Sequence, residues 1–408
     1  MRKLLSLLSV LIGFASLAQT EVSLTLDASY TKKVFYSFEN GEVGSMRNDN
    51  WDIAIATYST QTASIRINGG FGAELFQYTG GDTASWNNLD TAGLSTLTNW
   101  NQCRDNQSAF EPSAFEANAS GHPDYGWGKY NSVTHNVVGT SLFVLKTVVG
   151  DYKKVWIKEQ IAIGNSIQIE VADLDNTNNY SKTINKSVGS KNYVYLNLAT
   201  ETLMDNEPSN QTYDLVFTKY EGLAGPNAYY PLTGVVLNRG LKSAEVRGLP
   251  VEDADLATAL FTEDIDVIGS DWKSFNMDIF QWKLQDSLSY FVEDLKGNIW
   301  HLWFTDWEGA STGNLKFMQQ LVVTSNVSEL ENKSGIKIYP NPATENFTLQ
   351  LNEEVTQLSI FDVTGKMVYV NNNLNFNELN LSATELGSGL FLVQTKGKTI
   401  ETQKLFIK

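Results

Sequence analysis

The chain has 408 residues, 42% of them apolar, a formal net charge of -16, 3 histidines and 1 cysteine, Cys103. That charge argues against binding nucleic acid by phosphate neutralisation and against docking on an anionic membrane. A single cysteine excludes an intrachain disulfide, so core burial has to hold the fold.

Residues 1–18, MRKLLSLLSVLIGFASLA, read as a secretory signal peptide. Arg2 and Lys3 precede a short apolar run, and Ser16 and Ala18 stand three and one before a cut ahead of Gln19. Gln19 is not the cysteine that a lipoprotein anchor needs at that place. No later run is long and apolar enough to be a spanning helix.

Beyond the leader, short alternating runs rich in Val, Ile, Thr, Tyr, Phe and Trp recur between Asn, Gly, Asp and Ser clusters, which predicts an all-β chain. The runs repeat. VFYSFENGEVGSMRNDNWDIAIATY, from Val34, can be laid against YVYLNLATETLMDNEPSNQTYDLVFTKY, from Tyr193. Trp51, Ile53 and Ile55 then share strand parity with Tyr213, Leu215 and Phe217. Trp127 with Tyr130 and Trp272 with Phe275 follow in the same order. Two hairpins close the series, turning at Gly150 and Gly297 and carrying Trp156 and Trp303 on their return strands. This predicts two homologous β modules, 19–178 and 179–328, and Asp52 and Asp214 read as fixing strand ends. A polar linker at 329–335 leads to a tail at 336–408, whose strand and turn spacing predicts a small β-sandwich.

The tail resembles the C-terminal sorting domain of type IX secretion in Bacteroidetes. The resemblance is carried by Ile338-Tyr339-Pro340-Asn341-Pro342, the turn from Phe361 to Lys366, Gly389-Leu390-Phe391 and the closing KLFIK. It implies export across the outer membrane, to the cell surface or the medium, with the secretion machinery as partner.

The two modules resemble the HmuY-like family of haem-binding proteins, through NWDIA and NGG in the first copy, YDLVFTKY in the second, and most tightly through YFVEDLKGNIWHLWFTDWEGA from Tyr290. That resemblance implies a haem cofactor held between two axial His or Met side chains. Met277, just after Trp272-Lys-Ser-Phe275, matches one ligand position; its counterpart in the first copy is Ser132, with His135 three residues on. Met277 and His135 are therefore the candidate haem-iron ligands. Between Gly240 and Trp272 there is neither His nor Met to match the second ligand, and His122 stands at a different spacing. His301, alternating with Trp300 and Leu302, reads as structural.

Three histidines in no catalytic or metal-ligand spacing argue against nucleophilic or zinc hydrolysis. Asp253, Asp255, Asp264 and Asp266 are the densest acidic stretch, and the oxygen donors from Asp173 to Asn178 read as an Asx-rich turn rather than a calcium loop. The expectation is an exported haem or porphyrin binder that catalyses no reaction. The alternative is a surface module that keeps the fold and binds a glycan, protein or other non-haem ligand.

Overall fold

The computed structural model describes residues 19–89, 91, 100–186, 189–223, 225, 228–324, 336–351, 355–372, 378–396 and 400–408. The expected signal peptide and the linker at 329–335 lie outside the described residues. Two compact units divide at Thr324 and Ser325, and the secondary structure is almost entirely strand.

The first half of the larger unit contains β1 (Thr20–Thr25), β2 (Lys32–Ser37), β3 (Gly41–Arg47), β4 (Ile53–Ala56), β5 (Ile65–Ile67), β6 (Glu74–Gln77), β7 (Asn101–Cys103), β8 (Gly128–Tyr130), β9 (Val137–Gly139), β10 (Phe143–Lys146), β11 (Tyr152–Ile161) and β12 (Ser166–Asp173). The second half contains β13 (Tyr180–Asn185), β14 (Tyr193–Leu196), β15 (Leu203–Met204), β16 (Leu215–Leu223), β17 (Tyr229–Leu237), β18 (Lys242–Arg247), β19 (Lys273–Asn276), β20 (Gln281–Leu284), β21 (Leu288–Glu293), β22 (Ile299–Trp307) and β23 (Asn314–Val323).

These strands build the same pair of sheets twice. One large sheet runs β13-β12-β11-β10-β6-β7, and its counterpart runs β1-β23-β22-β21-β18. One four-stranded sheet runs β15-β14-β4-β5, and its counterpart runs β3-β2-β16-β17. In each case the opening three strands of one half complete the sheets of the other. β1 lies antiparallel to β23, with Thr20 opposite Gln319, while β13 takes the same place beside β12. The cores follow this exchange. One gathers Ile53, Ile65, Phe143, Ile169 and Leu196, and the other gathers Leu24, Tyr36, Leu215, Tyr290 and Phe317. The expected boundary at 178/179 falls between β12 and β13 and does not separate two cores, because both sandwiches draw strands from both sides of it.

The polar clamps are duplicated as well. The Asp52 N–H donates to the Leu196 carbonyl and the Asn68 N–H to the Asp52 carbonyl, at 2.9 and 3.0 Å; Asp214 with Tyr36 and Asn238 with Asp214 repeat both bonds at 2.8 Å. The Asn68 carboxamide donates to the carbonyls of Asn48 and Trp51, and that of Asn238 to those of Asn210 and Tyr213. Both asparagines are buried, so each satisfies backbone oxygens that no strand partner reaches. The Asp52 carboxylate accepts the N–H groups of Val148 and Leu198 at 2.9 and 2.8 Å, and Asp214 accepts that of Phe38 at 2.8 Å. These aspartates fasten strand ends across the exchange.

All four residues of β4 are buried. Ile53 and Ile55 enter the sandwich core, while Ala54 and Ala56 join Trp51, Phe35, Tyr195 and Tyr213 in a second cluster. A strand covered on both faces accounts for the unbroken apolar run of IAIA.

The smaller unit has sheets β24-β25-β28 and β27-β26-β29-β30, formed by β24 (Ile336–Tyr339), β25 (Asn346–Leu351), β26 (Gln357–Asp362), β27 (Met367–Asn371), β28 (Glu378–Ser382), β29 (Gly389–Lys396) and β30 (Ile400–Ile407). Phe347, Leu349, Leu358, Ile360, Val393 and Leu405 fill the space between them, which makes the unit a small β-sandwich. Asn341 of the YPNP motif donates to the Lys404 carbonyl and accepts the Phe406 N–H, fastening it to the last strand.

Candidate functional site

Met277 stands at the tip between β19 and β20, 68% exposed, beside the exposed Ile279 and Phe280. His135 is on the matching tip between β8 and β9, also exposed. In both tips an asparagine oxygen accepts two turn N–H groups, Asn131 from Val133 and Thr134 and Asn276 from Asp278 and Ile279. Ser132 is thus the counterpart of Met277, and His135 that of Phe280. Both of the latter hold a positive φ, 60° and 51°. His135 Nδ1 lies 2.6 Å from the Tyr130 hydroxyl, and the His122 ring packs against the Tyr130 ring at 5.1 Å. His301 is buried and stacked on Phe291 at 4.6 Å, and burial draws its pKa down to about 4.

The hairpins with Met277 and His135 belong to different repeats, and neither residue lines the cavity between the two four-stranded sheets. The Asp173 loop is also closed to a cation. Lys153 pairs with Asp173, the Lys154 ammonium donates to the Asn176 carboxamide oxygen, and Thr177 and Asn178 donate to the remaining carboxylate oxygens. Asp255 caps a turn by accepting the Ala257 N–H.

The concave site lies between the two four-stranded sheets, a cavity of about 140 Å³ walled mainly by aromatic and aliphatic groups, including Phe35, Trp51, Phe110, Tyr195 and Tyr213. Strand registers relate its two walls residue by residue. Leu196 faces Ile53 as Tyr36 faces Leu215, so Tyr193 and Tyr195 correspond to Lys33 and Phe35. Arg66, opposite Ala54, corresponds to Val236, opposite Val216. One copy therefore carries Tyr193 and Val236 where the other carries Lys33 and Arg66. The fold itself does not require charge at these places.

Arg66 is fully engaged. It donates to the carbonyls of Asn106 and Ala109 at 2.7 and 3.2 Å and faces Asp105 at 3.7 Å. Asp105 in turn accepts the N–H groups of Ile67 and Ala114. This pair anchors the loop that brings Gln107 and Phe110 to the cavity. Glu207, 3% exposed, accepts from the Tyr193 N–H at 2.6 Å and the Tyr213 hydroxyl at 2.8 Å. Burial pushes its carboxyl above the usual range, and those two hydrogen bonds only partly oppose it.

Lys33 is different. It is 9% exposed, and among the described residues its ammonium has neither a hydrogen-bond acceptor nor an ion-pair partner. It faces the rings of Trp51 and Tyr195 at 5.0 and 4.9 Å. Burial pushes its pKa down, against the pull of the more distant Glu207. The floor is drawn tight by the NGG turn, where a Cβ on Gly70 would come within 2.6 Å of the Lys219 carbonyl oxygen.

Lys33 escaped the sequence reading for a specific reason. The alignment laid Val34 on Tyr193, whereas the registers pair Val34 with Val194. A slip of one residue exchanges the faces of a strand, which hid a lysine standing where the other copy has a tyrosine. The signal available was the second lysine of the run KKVFYSF, on the parity of Phe35 rather than of Val34.

No curated protein matches the chain. Residues 337–408 match the family model described as a secretion system C-terminal sorting domain. The chain thus carries a type IX sorting domain, which directs its export to the cell surface or the medium.

Proposed function

We propose that the exported protein is a binding protein that holds a small, non-haem ligand in the cavity between its two four-stranded sheets and catalyses no reaction. The observation that carries this reading is the departure from internal symmetry at the cavity. Lys33 and Arg66 replace Tyr193 and Val236 at corresponding positions. A buried charge is costly to a fold that can manage without it, and such departures collect at functional sites.

Haem capture through Met277 and His135 is less well supported by this geometry. The two stand on exposed tips of separate hairpins, and among the described residues no His or Met lines the cavity. Its 140 Å³ is close to a cavity of about 150 Å³ that admits benzene, whereas a porphyrin joins four pyrrole rings in one macrocycle. Titrating haemin into the mature chain tests the distinction. A weak, unsaturable Soret change, the same in Met277→Ala and His135→Ala, is expected; a sharp, saturable band lost in either variant would restore the haem reading. Fragment binding followed by ligand-observed NMR tests the cavity itself. Binding should be lost when Ala54→Leu fills it, and equal binding to that variant would move the site elsewhere.

A further inference from the structure

We infer, on the reading just given, that the cavity takes a small monocarboxylate about the size of benzoate, its oxygens on the Lys33 ammonium and its apolar body against Trp51, Phe35 and Tyr195. The charge of the ligand follows from which groups remain open. Arg66 and Asp105 are occupied by each other and by backbone groups, and Glu207 accepts from Tyr193 and Tyr213. Of the two lining lysines whose ammonium no described residue accepts, Lys219 is only partly buried and lies over the Phe71 ring at 4.4 Å, whereas Lys33 is buried, with the faces of Trp51 and Tyr195 at about 5 Å. A ligand acceptor there gains a charge-assisted hydrogen bond and compensates a buried cation in one step.

The class of anion follows from the donor count. A phosphate presents three oxygens and normally meets a bidentate guanidinium or a nest of backbone N–H groups. This cavity offers no open guanidinium, two lysine ammonium groups of which only that of Lys33 is buried, and mostly apolar walls, which suits the two oxygens of a carboxylate. A cationic ligand is disfavoured because the three lining carboxylates are engaged: Asp105 faces Arg66, Glu221 pairs with Arg104, and Glu207 already holds two donors while burial favours its neutral form. The volume, close to a cavity that binds benzene, sets the body at a single ring or a short aliphatic chain.

Isothermal titration of the full mature chain with benzoate, benzyl alcohol and benzylamine tests this. Benzoate should bind with one site per chain. Lys33→Met should weaken benzoate by roughly 10- to 100-fold, the range for a hydrogen bond to a charged group, while changing benzyl alcohol by only about 3-fold or less. A urea midpoint for Lys33→Met at or above wild type shows that the variant is folded. Equal affinity for benzoate and benzyl alcohol, or preference for benzylamine, overturns the carboxylate assignment and leaves the cavity as a binding site. If none of the three probes binds the wild type, while fragments bind in a manner insensitive to Ala54→Leu, both the assignment and the underlying reading fall.

Discussion

Lys33→Met keeps the unbranched stem that packs between Trp51 and Tyr195 and deletes only the charge. In the ligand-free protein that change should stabilise the fold. Taking an ammonium out of water costs several kcal/mol even after relaxation, and two ring faces at about 5 Å return roughly 1–2 kcal/mol each. The difference leaves a gain of about 1–3 kcal/mol on removing the charge. Urea unfolding followed by tryptophan fluorescence reads this directly, because all 10 tryptophans lie at or before Trp307 and report on the larger unit alone. Saturating carboxylate should narrow or cancel the difference, since binding it 10- to 100-fold more tightly stabilises the wild type by about 1.4–2.7 kcal/mol more than the variant. A variant destabilised by more than about 1 kcal/mol without ligand would mean that the ammonium already has a strong partner, and the argument for an open donor would fail.

The strand-end aspartates give two further tests. Burial raises the Asp214 carboxyl from 3.8 to about 6, so its contribution to stability is fully present below 3.8 and is lost as pH rises through 6. The rise corresponds to about 3 kcal/mol, so Asp214→Asn should be more stable than wild type by about 1–3 kcal/mol at pH 8 and should flatten the decline between pH 4 and 6. Asp52→Ala leaves the Val148 and Leu198 N–H groups without their acceptor and should cost about 2–5 kcal/mol in the same assay; a loss below about 1 kcal/mol would show that water or neighbouring groups replace it. Deleting residues 336–408 should abolish delivery to the surface or medium, measured by cell fractionation, while leaving the tryptophan-monitored urea midpoint of the larger unit within about 0.5 kcal/mol of the full chain.

Much of this molecule can be read from local pattern, since alternation, turn chemistry and strand length are local properties. IAIA declares a strand covered on both faces, and DVTG declares its turn, where the Asp362 carboxylate accepts the N–H groups of Thr364 and Lys366. Likeness between segments is equally legible, and it located the hairpin tips of Ser132 and Met277. Which segments pair is a different kind of information. The partners of Thr20 and Tyr36 are Gln319 and Leu215, and nothing in a local pattern says whether a strand closes its own sheet or that of its twin. The cavity was hidden by the same limit, because Lys33, Arg66 and Glu207 meet only after the sheets have been completed across the repeats.

The exchange of opening strands also governs when the chain can be finished. β2 waits for β16, about two-thirds of the way along the larger unit, and β1 leaves the sheet of its own half and waits for β23, which a growing chain presents only after almost all of that unit has been made. No early half-protein can close, and contacts spanning nearly 300 residues make folding slow and late. The first strand then acts as a latch, closing the large sheet only when the last strand of the larger unit has arrived.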